Sequence, residues 1–353
     1  MKFGMFSNQQ RHSTDVVASW DEDVAEIQVA DRLGFEYAWI SEHAGLPYLQ
    51  DGLACAEHMI CRIAGETDQI KLGPAVRRLA LYNPVQVAVE LGSVDNLTHG
   101  RYVWSFGHGG PVSGYEQRGI RFEDTREMMV ESIDLILRCI EQTEPFDYDG
   151  KFYRGTGITV WPKPLQKPHP PIWMASNTPQ MIEMAARRGF NFFLSQYARA
   201  ASMNRLTAIY EGARADAGRT RSRENVTALR AVFVGDTDTQ AFDALAPGFR
   251  EHLEFNKKFF GPVFNEWIPK GGSLDDVSYE HLAEEGLVFV GSADTVRQKI
   301  EDFHRESGGF ETFLLVAGKN WGSFAEREHS MNLFAEQVAP ALASLGTEVG
   351  ARA

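Results

Sequence analysis

Residues Lys2 to His43 read KFGMFSNQQRHSTDVVASWDEDVAEIQVADRLGFEYAWISEH, and this stretch decides the fold. Lys2–Phe6 is a short apolar run, typical of a strand that is buried on both faces. Trp20–Leu33 carries apolar residues at helical spacing and is followed by Gly34, which favours the end of a helix. Glu36–Ile40 is a second apolar run. The stretch therefore predicts a strand, a helix and a second strand, the repeating unit of a β/α protein.

The second predicted strand ends in Ser41-Glu42-His43. The active sites of (β/α)₈ barrels lie at the carboxyl ends of the strands, so a carboxylate beside an imidazole at this place is a candidate site. An imidazole exchanges protons near neutral pH, and an adjacent acid can tune it. We therefore take Glu42 and His43 as candidate catalytic residues. The alternative is that the histidine is structural.

The β/α alternation continues along the chain. Further strands are predicted at Ile70–Leu79, Arg101–Phe106, Ile172–Ala175, Asn191–Ser195, Ala228–Val234, Leu287–Val290 and Phe310–Val316. Further helices are predicted at Pro84–Leu97, Arg126–Ile140, Pro179–Arg188, Met203–Ala217, Ala293–Ser307 and Phe324–Leu345. The sequence thus predicts an α/β fold, a single (β/α)₈ TIM barrel over residues 1–353.

Two segments interrupt the alternation and are predicted to be insertions, after strand 4 (about 144–171) and in the region after strand 7 (about 236–285). The first contains Asp149-Gly150 between alternating residues, the pattern of a β-hairpin. The second has no clean repeat and is rich in aromatic residues. Because a long irregular segment in a compact barrel is usually functional, we interpret it as an excursion over the barrel mouth.

Composition restricts the class of protein. A net charge of −13 argues against nucleic-acid or anionic-membrane partners. The three cysteines (Cys55, Cys61, Cys139) lack metal-ligand spacing, so we expect reduced thiols and no metal. No signal-peptide pattern and no run of about 20 apolar residues is visible, so we expect a cytoplasmic enzyme.

Two strand ends are candidate anion sites. Gly107-His108-Gly109-Gly110 follows the predicted strand Arg101–Phe106, and glycines let the backbone approach a ligand closely. This motif is not the dinucleotide-binding fingerprint, because the third glycine of that fingerprint would fall at Val112. The alternative interpretation is a tight turn between the strand and the following loop. Ser176-Asn177-Thr178 precedes a helix whose N-terminus favours an anion, although ordinary capping explains Thr178 equally well. In combination the two sites predict a bound phosphate.

The paired Arg77-Arg78 lies at the end of the third predicted strand. Since strand ends in a barrel are crowded, we expect one arginine to point at the barrel mouth and the other to form a salt bridge outside. His58, beside Glu57 on a predicted helix, is expected to be a surface or packing residue.

With these residues in hand, the chain resembles the bacterial luciferase-like family of flavin-dependent monooxygenases. Its length and spacing are most similar to the luciferase, limonene and diketocamphane monooxygenase branch. The resemblance spans nearly the whole sequence and rests on Met1–Gly4, Trp39–His43, Ile70–Val76, Tyr82–Pro84, Leu97–Arg101, the glycine-rich turn and Val290–Ala293.

The resemblance implies that reduced FMN binds in the barrel mouth. The flavin ring would lie beside Phe6 and over the Ala75-Val76 peptide, which is a non-prolyl cis bond in relatives. The phosphate would lie between two groups of residues. These groups are the loop of Gly107, His108 and Gly109, and the helix start at Ser176, Asn177 and Thr178.

The same resemblance implies an activity. His43 would be the catalytic residue and Glu42 would orient it. O₂ would react at flavin C4a to give a (hydro)peroxide that oxygenates a largely apolar organic substrate. A separate flavin reductase would supply FMNH₂, and the enzyme would be a homodimer.

Three departures from luciferase change what is expected. The second histidine of the luciferase motif is Ala44 here, which argues against light emission. The pocket cysteine corresponds to Gly107, which would open space beside the flavin. The phosphate-binding arginine corresponds to His108, so cationic help for the phosphate would be weaker or would come from another residue, with Arg77 and Arg78 as candidates.

Two other functions stay open from the sequence. The first is a deazaflavin (F420)-dependent oxidoreductase, which shares the barrel and transfers hydride without O₂. The second is a non-catalytic flavin-binding protein.

Overall fold

The structure is a computed structural model that describes residues 1–8, 15–42, 52–53, 55–109, 112–318 and 320–345. Eight parallel strands form a nearly closed barrel, which confirms the predicted fold class. These strands are β1 (Lys2–Ser7), β2 (Tyr37–Ile40), β3 (Lys71–Pro74), β4 (Trp104–Gly107), β7 (Ile172–Ala175), β8 (Asn191–Phe193), β9 (Val226–Val234) and β11 (Thr312–Ala317). A hairpin, β5 (Phe146–Asp149) and β6 (Arg154–Ile158), and a short strand, β10 (Phe289–Gly291), complete the set.

The strands follow one another around the barrel in chain order. β1 pairs with β2 on one side and with β11 on the other, so the first and last strands are neighbours. The barrel closes between β3 and β4 through two isolated bridges, Leu72 with Tyr102 and Arg77 with Phe106. β10, which the sequence predicted as a strand, pairs with the carboxyl-terminal end of β9 and lies off the eight-strand path.

Helices cover the outside of the barrel and, in the second insertion, pack at its mouth. They are α1 (Val16–Arg32), α2 (Ala56–Ala64), α3 (Pro84–Leu97), α4 (Ser113–Glu116), α5 (Thr125–Glu141), α6 (Pro179–Arg188), α7 (Ala200–Asp216), α8 (Asp238–Phe260), α9 (Tyr279–Glu284), α10 (Ala293–Glu306), α11 (Phe324–Leu333) and α12 (Ala339–Leu342). Of these, α1 begins four residues before the predicted start because the Asp15 side chain accepts a hydrogen bond from Ala18 N–H and caps it. None of the described helices is both long and apolar enough to cross a membrane.

The closing helix is not one regular element as predicted. A π-helical turn, Phe334–Val338, separates α11 from α12. Pro340 follows directly in α12, and a proline lacks the N–H that a regular helix would use.

The two segments that interrupt the alternation contain regular elements. In the first, β5 and β6 form the predicted antiparallel hairpin around Asp149-Gly150. The second contains a 23-residue helix, α8, followed by 3₁₀ turns at Gly261–Trp267 and Leu274–Asp276 and by α9. The sequence analysis missed α8 because Pro247 lies inside it, and an internal proline ordinarily breaks the helical pattern.

The third strand is shorter than predicted. Instead of running from Ile70 to Leu79, β3 ends at Pro74 and is followed by a cis peptide bond between Ala75 and Val76. Leu79–Leu81 forms a 3₁₀ turn. The apolar residues that suggested a longer strand therefore belong to a strand end, a loop and a turn.

Side chains of the barrel strands alternate between two cores, as the two-residue period of a strand requires. Tyr37 and Trp39 of β2 face the lumen, whereas Ala38 and Ile40 pack against the surrounding helices. Trp39 meets the rings of Trp173 and Phe193 at centroid distances of 5.1 and 4.7 Å and fills the lumen. The lumen core continues into buried residues of the second insertion, namely Phe249, Leu253, Phe264, Trp267, Tyr279 and Leu282. This insertion therefore packs onto the barrel interior.

Candidate functional site

Two adjoining cavities lie at the carboxyl ends of the barrel strands. Cavity A has a volume of about 390 Å³ and cavity B about 190 Å³. Both are lined by Phe6, Ala75, Val76, Gly109, Gln196 and Tyr197, so these residues form the wall between them or the passage that joins them. The site thus lies at the face where (β/α)₈ barrels carry their active sites.

Most of the residues that the resemblance assigned to the cofactor line cavity A. Its wall includes His108 and Gly109 after β4, and Ser176, Asn177 and Thr178 after β7. No aspartate or glutamate lines it within the described part of the chain, although the whole protein has a net charge of −13. Arg126, in the first turn of α5, adds a cation. The wall is therefore suited to an anion at one end.

The start of α6 is arranged differently from an ordinary capped helix. Thr178 is the N-cap residue, but its side chain makes no capping hydrogen bond. The Ser176 hydroxyl instead accepts a bond from Thr178 N–H at 3.0 Å. The alternative explanation of Thr178 as a simple cap is therefore wrong. The N–H groups of Thr178 and Met181 are bonded within the chain and Pro179 has none, so the contribution of α6 to an anion site is the positive end of its helix dipole.

Gly107 lies where β4 approaches the Ala75-Val76 peptide. A Cβ atom on this residue would lie 3.0 Å from Val76 Cγ2 and 3.1 Å from the backbone oxygen of Ala175. The space that a missing side chain was expected to open is therefore filled by Val76. Gly107 itself does not line either cavity; Gly110, the last glycine of the motif, lies outside the described residues.

Cavity B is bounded by the strand ends on one side and by the second insertion on the other. Ser41, Glu42 and Arg78 contribute from the strand ends. His252, Asn256 and Phe260 contribute from α8, and Val263 from the following turn. The sequence analysis did not find these insertion residues, because α8 itself was not recognised. The wall of cavity B is more apolar than polar, which suits a compact, largely apolar organic molecule that carries a polar group.

Beneath cavity B lies a buried charge cluster, the Arg77 cluster, made of Glu42, Glu57, Arg77, Tyr82 and Glu90. The Arg77 side chain is 1% exposed and lies within 2.9 Å of Glu42, 3.0 Å of Glu57 and 2.6 Å of Glu90. Its guanidinium also lies over the Tyr82 ring, 3.5 Å from the centroid. The Tyr82 hydroxyl donates to Glu42 Oε1 at 2.7 Å. Both carboxylate oxygens of Glu42 are therefore hydrogen-bonded.

The cluster places three acids around one cation. Burial, reinforced by the Glu57 carboxylate, raises the pKa of Glu42. Burial by itself would lower the pKa of Arg77, but the carboxylates of Glu57 and Glu42 outweigh it and raise that pKa. Arg77 therefore stays charged among these acids.

The expectation for the two arginines was half right. Arg78 lines cavity B at the barrel mouth and lies 5.6 Å from the centroid of the Tyr115 ring. Arg77 does not form a salt bridge outside; its ion pairs are inside the barrel wall. Neither arginine lines cavity A, so neither supplies the cation expected beside His108. The arginine that lines cavity A together with His108 is Arg126.

A second buried arginine holds the loop between the cavities. Arg230 of β9 is 1% exposed and donates to the backbone oxygens of Gln196 at 2.6 Å, Leu229 at 3.0 Å and Ala198. Burial lowers the pKa of Arg230 to about 9, which still leaves it charged at neutral pH. Because its acceptors flank Tyr197, Arg230 fixes the loop that lines both cavities.

His43 lies outside the described residues, as does Ala44. The catalytic role of His43 and the orienting role of Glu42 therefore stay predictions. His58 is exposed on α2, as expected for a surface residue. Among the described residues, no group of three or more His, Cys, Asp or Glu side chains could hold a metal ion.

Comparison with known proteins places the chain in a family. The luciferase-like monooxygenase family profile matches residues 1–311. Limonene 1,2-monooxygenase from Rhodococcus erythropolis is 26% identical over 96% of this chain and 86% of its own length.

Two solved structures share the fold. The first is the oxygenating constituent of 3,6-diketocamphane monooxygenase from Pseudomonas putida, a type II Baeyer-Villiger monooxygenase solved in complex with FMN. It superposes with a TM-score of 0.84, at 23% identity over 96% of this chain and 98% of that one. The second is the coenzyme F420-dependent tetrahydromethanopterin reductase from Methanopyrus kandleri. It has a TM-score of 0.71, at 18% identity over 96% and 99%. By the family profile, this chain belongs to the luciferase-like monooxygenase family, and it is an oxidoreductase.

Proposed function

We propose that the protein is the oxygenase of a two-component system, a monooxygenase that uses FMNH₂ and O₂ on a compact, largely apolar organic substrate. The observation that carries the proposal is cavity A. It is lined by Arg126 and by no acid of the described residues, and it adjoins cavity B at Ala75 and Val76. One cavity would take the cofactor and the other the substrate.

The residues present fit a flavin mononucleotide. Arg126 supplies a cation for a phosphate at the positive end of the α6 dipole, and His108, Ser176 and Asn177 add side chains with hydrogen-bonding capacity. Phe6, Ala75 and Val76 offer an apolar surface for a planar ring. When bound, reduced FMN would supply the electrons and the oxygen-activating chemistry.

The remaining residues would prepare the site for that chemistry. The Arg77 cluster fixes Glu42 and with it the strand end that precedes His43. Phe260 and Val263 would help to exclude water from cavity B, which favours oxygenation over unproductive flavin oxidation. Since cavity B is smaller than the 300 Å³ or so at which ligand pockets typically begin, the substrate would be compact.

A separate flavin reductase is part of the proposal. The structural relative from Pseudomonas putida is an oxygenating constituent, which is one component of a larger system. The predicted homodimer stays a prediction.

The test is a comparison of cofactors under anaerobic conditions. We expect the protein to bind FMNH₂ tightly and coenzyme F420 weakly, because the acidic tail of F420 would need more cations than Arg126 alone.

With a flavin reductase, NADH and O₂, we expect oxygenated product from compact probes such as limonene or a diketocamphane. Tight F420 binding with hydride transfer would contradict the proposal. Flavin binding with no oxygenation of any such probe would favour a binding protein.

The predicted role of His43 has its own test. We expect His43→Ala to bind FMN as the parent does but to give far less oxygenated product. An unchanged product yield would remove His43 from the catalytic machinery.

A further inference from the structure

The hydrogen bonds around His108 determine which of its ring nitrogens carries the proton. The Thr125 hydroxyl lies 2.6 Å from the backbone oxygen of Phe122 and donates to it, since two oxygens approach this closely only with a hydrogen between them. A hydroxyl has one hydrogen, so Thr125 Oγ1 can only accept at its second contact, 2.5 Å from His108 Nε2. The imidazole is therefore the donor, and neutral His108 carries its proton on Nε2.

The other ring nitrogen, Nδ1, therefore carries no proton in the neutral ring. Nδ1 makes no hydrogen bond to any residue in the described ranges, and His108 is half-buried in the wall of cavity A. In the neutral ring Nδ1 is an acceptor. A phosphate oxygen is also an acceptor, so the two can form a hydrogen bond only if a proton is added between them.

The surroundings of His108 keep it neutral when no anion is present. Burial, and then the nearby Arg126 guanidinium, lower the pKa of His108. The other titratable group that meets this loop is Tyr115 of α4, whose hydroxyl donates to the backbone oxygen of His108 and lies 3.2 Å from that of Gly109. Phe122 packs on the imidazole edge at a centroid distance of 5.0 Å and carries no charge. Hence no described carboxylate stabilises a charged imidazole here.

A phosphate changes this balance. It carries a charge of about −1.5 to −2 near neutral pH and three strong acceptor oxygens. Placed beside Nδ1 and Arg126, it would favour the charged imidazole and give Nδ1–H a partner.

We infer that binding of the flavin phosphate is coupled to uptake of one proton at Nδ1 of His108. The proton comes from the solvent: one N–H bond forms at Nδ1 while the bond that held this proton in hydronium or a buffer acid breaks. The preference for FMN over riboflavin is therefore largest at low pH and falls as the pH rises, by up to about tenfold per pH unit once the free imidazole is neutral. This inference rests on the proposed flavin function.

The test is the dissociation constant of FMN and of riboflavin between pH 6 and pH 9. For the parent protein we expect the ratio of the riboflavin to the FMN constant to fall with pH. His108→Arg keeps a charge at every pH, so its ratio should stay high and much flatter. His108→Gln cannot gain the charge, so its ratio should be low at every pH. His58→Gln, an exposed histidine on α2, is the matched control and should behave as the parent.

The protons themselves can be counted by titration calorimetry in two buffers of different ionisation enthalpy. At pH 7.5 we expect uptake approaching one proton for FMN with the parent, and close to none for riboflavin or for His108→Arg. The phosphate's own ionisation, with a pKa of about 6, is common to all variants and cancels in the comparison. FMN binding without proton uptake, or a parent profile matching that of His108→Arg, would overturn the inference and leave the proposed function intact. Failure to bind FMN at any pH would overturn both.

Discussion

Replacing Arg77 by methionine would test whether the Arg77 cluster is a buried, mutually dependent unit. Methionine keeps much of the side-chain length but removes the guanidinium that lies within 3.0 Å of Glu42, Glu57 and Glu90. Breaking a buried ion pair by removing one partner costs about 3–5 kcal/mol. Loss of the cation–π contact with Tyr82 adds about 1 kcal/mol. We expect the free energy of unfolding at pH 8 to fall by about 4–6 kcal/mol.

The loss should depend on pH with a definite sign. A carboxyl whose folded-state pKa is raised, as that of Glu42 is, contributes more stability at low pH and loses it as the pH rises through the folded-state value. Without Arg77, the acids can relieve their repulsion only by binding protons. The penalty of Arg77→Met should therefore be smaller at pH 5.5 than at pH 8.

The assay is unfolding in guanidinium chloride at both pH values, monitored by circular dichroism. The free energy of unfolding is obtained from the denaturant midpoint and the slope of the transition. Arg62→Met is the matched control. Arg62 lies on α2 and, like Arg77, forms ion pairs with acids, here Asp21 and Glu66, but its side chain is 44% exposed. Exposed pairs of this kind contribute about 0–1 kcal/mol. Equal losses in Arg77→Met and Arg62→Met, or a larger loss at pH 5.5 than at pH 8, would refute the reasoning.

Three further substitutions test other parts of the structure. Gly73→Ala would place a Cβ 2.4 Å from the backbone oxygen of Val103, so we expect about 1–3 kcal/mol less stability in chemical unfolding; an unchanged midpoint would contradict this close approach. Arg230→Met leaves backbone oxygens of the Gln196 loop without their donor, so we expect at least about 2 kcal/mol less stability and weaker flavin binding in a fluorescence titration. Unchanged FMN affinity would show that the loop holds its place without Arg230. Arg126→Ala should weaken FMN binding about tenfold or more and leave riboflavin binding unchanged, since a charge-assisted hydrogen bond is worth about 1.5–3 kcal/mol. An equal loss for both flavins would place Arg126 away from the phosphate.

Local patterns were sufficient to predict the barrel. β2 reads as a continuous apolar run because its side chains fill two cores, and α3 could be placed from Asn83-Pro84 at its start. Both signals arise within a few residues of the element that they define. This is why the eight barrel strands were recovered in order, although the sequence also predicted β10, which lies off the barrel.

The insertion helix α8 was missed for a physical reason. Pro247 lies inside the helix, and Gly248 follows it. A Cβ on Gly248 would come within 1.6 Å of the backbone oxygen of Asn320, so this glycine serves a tertiary contact. Both residues weaken the helical pattern, and the contact that compensates is distant in sequence.

The position of Arg126 in the sequence already indicated a cation for cavity A, but the sequence analysis did not use it. Arg126 stands in the first turn of α5, where the positive end of the helix dipole disfavours a basic residue. A basic side chain in such a position favours a bound anion as its partner. The Arg77 cluster had no comparable signal, because Glu42, Glu57 and Glu90 are spread over 49 residues and only the fold brings them together.

The central claim, that the protein reacts bound FMNH₂ with O₂ to oxygenate a substrate, is tested most directly by rapid mixing. The anaerobic complex of the protein with FMNH₂ is mixed with oxygenated buffer, and oxygen consumption is recorded together with the visible absorbance of oxidised FMN. We expect oxygen to be consumed first and the absorbance of oxidised FMN to appear only after a lag, which free FMNH₂ does not show. Simultaneous oxygen consumption and FMN oxidation at the rate of free flavin would contradict the claim.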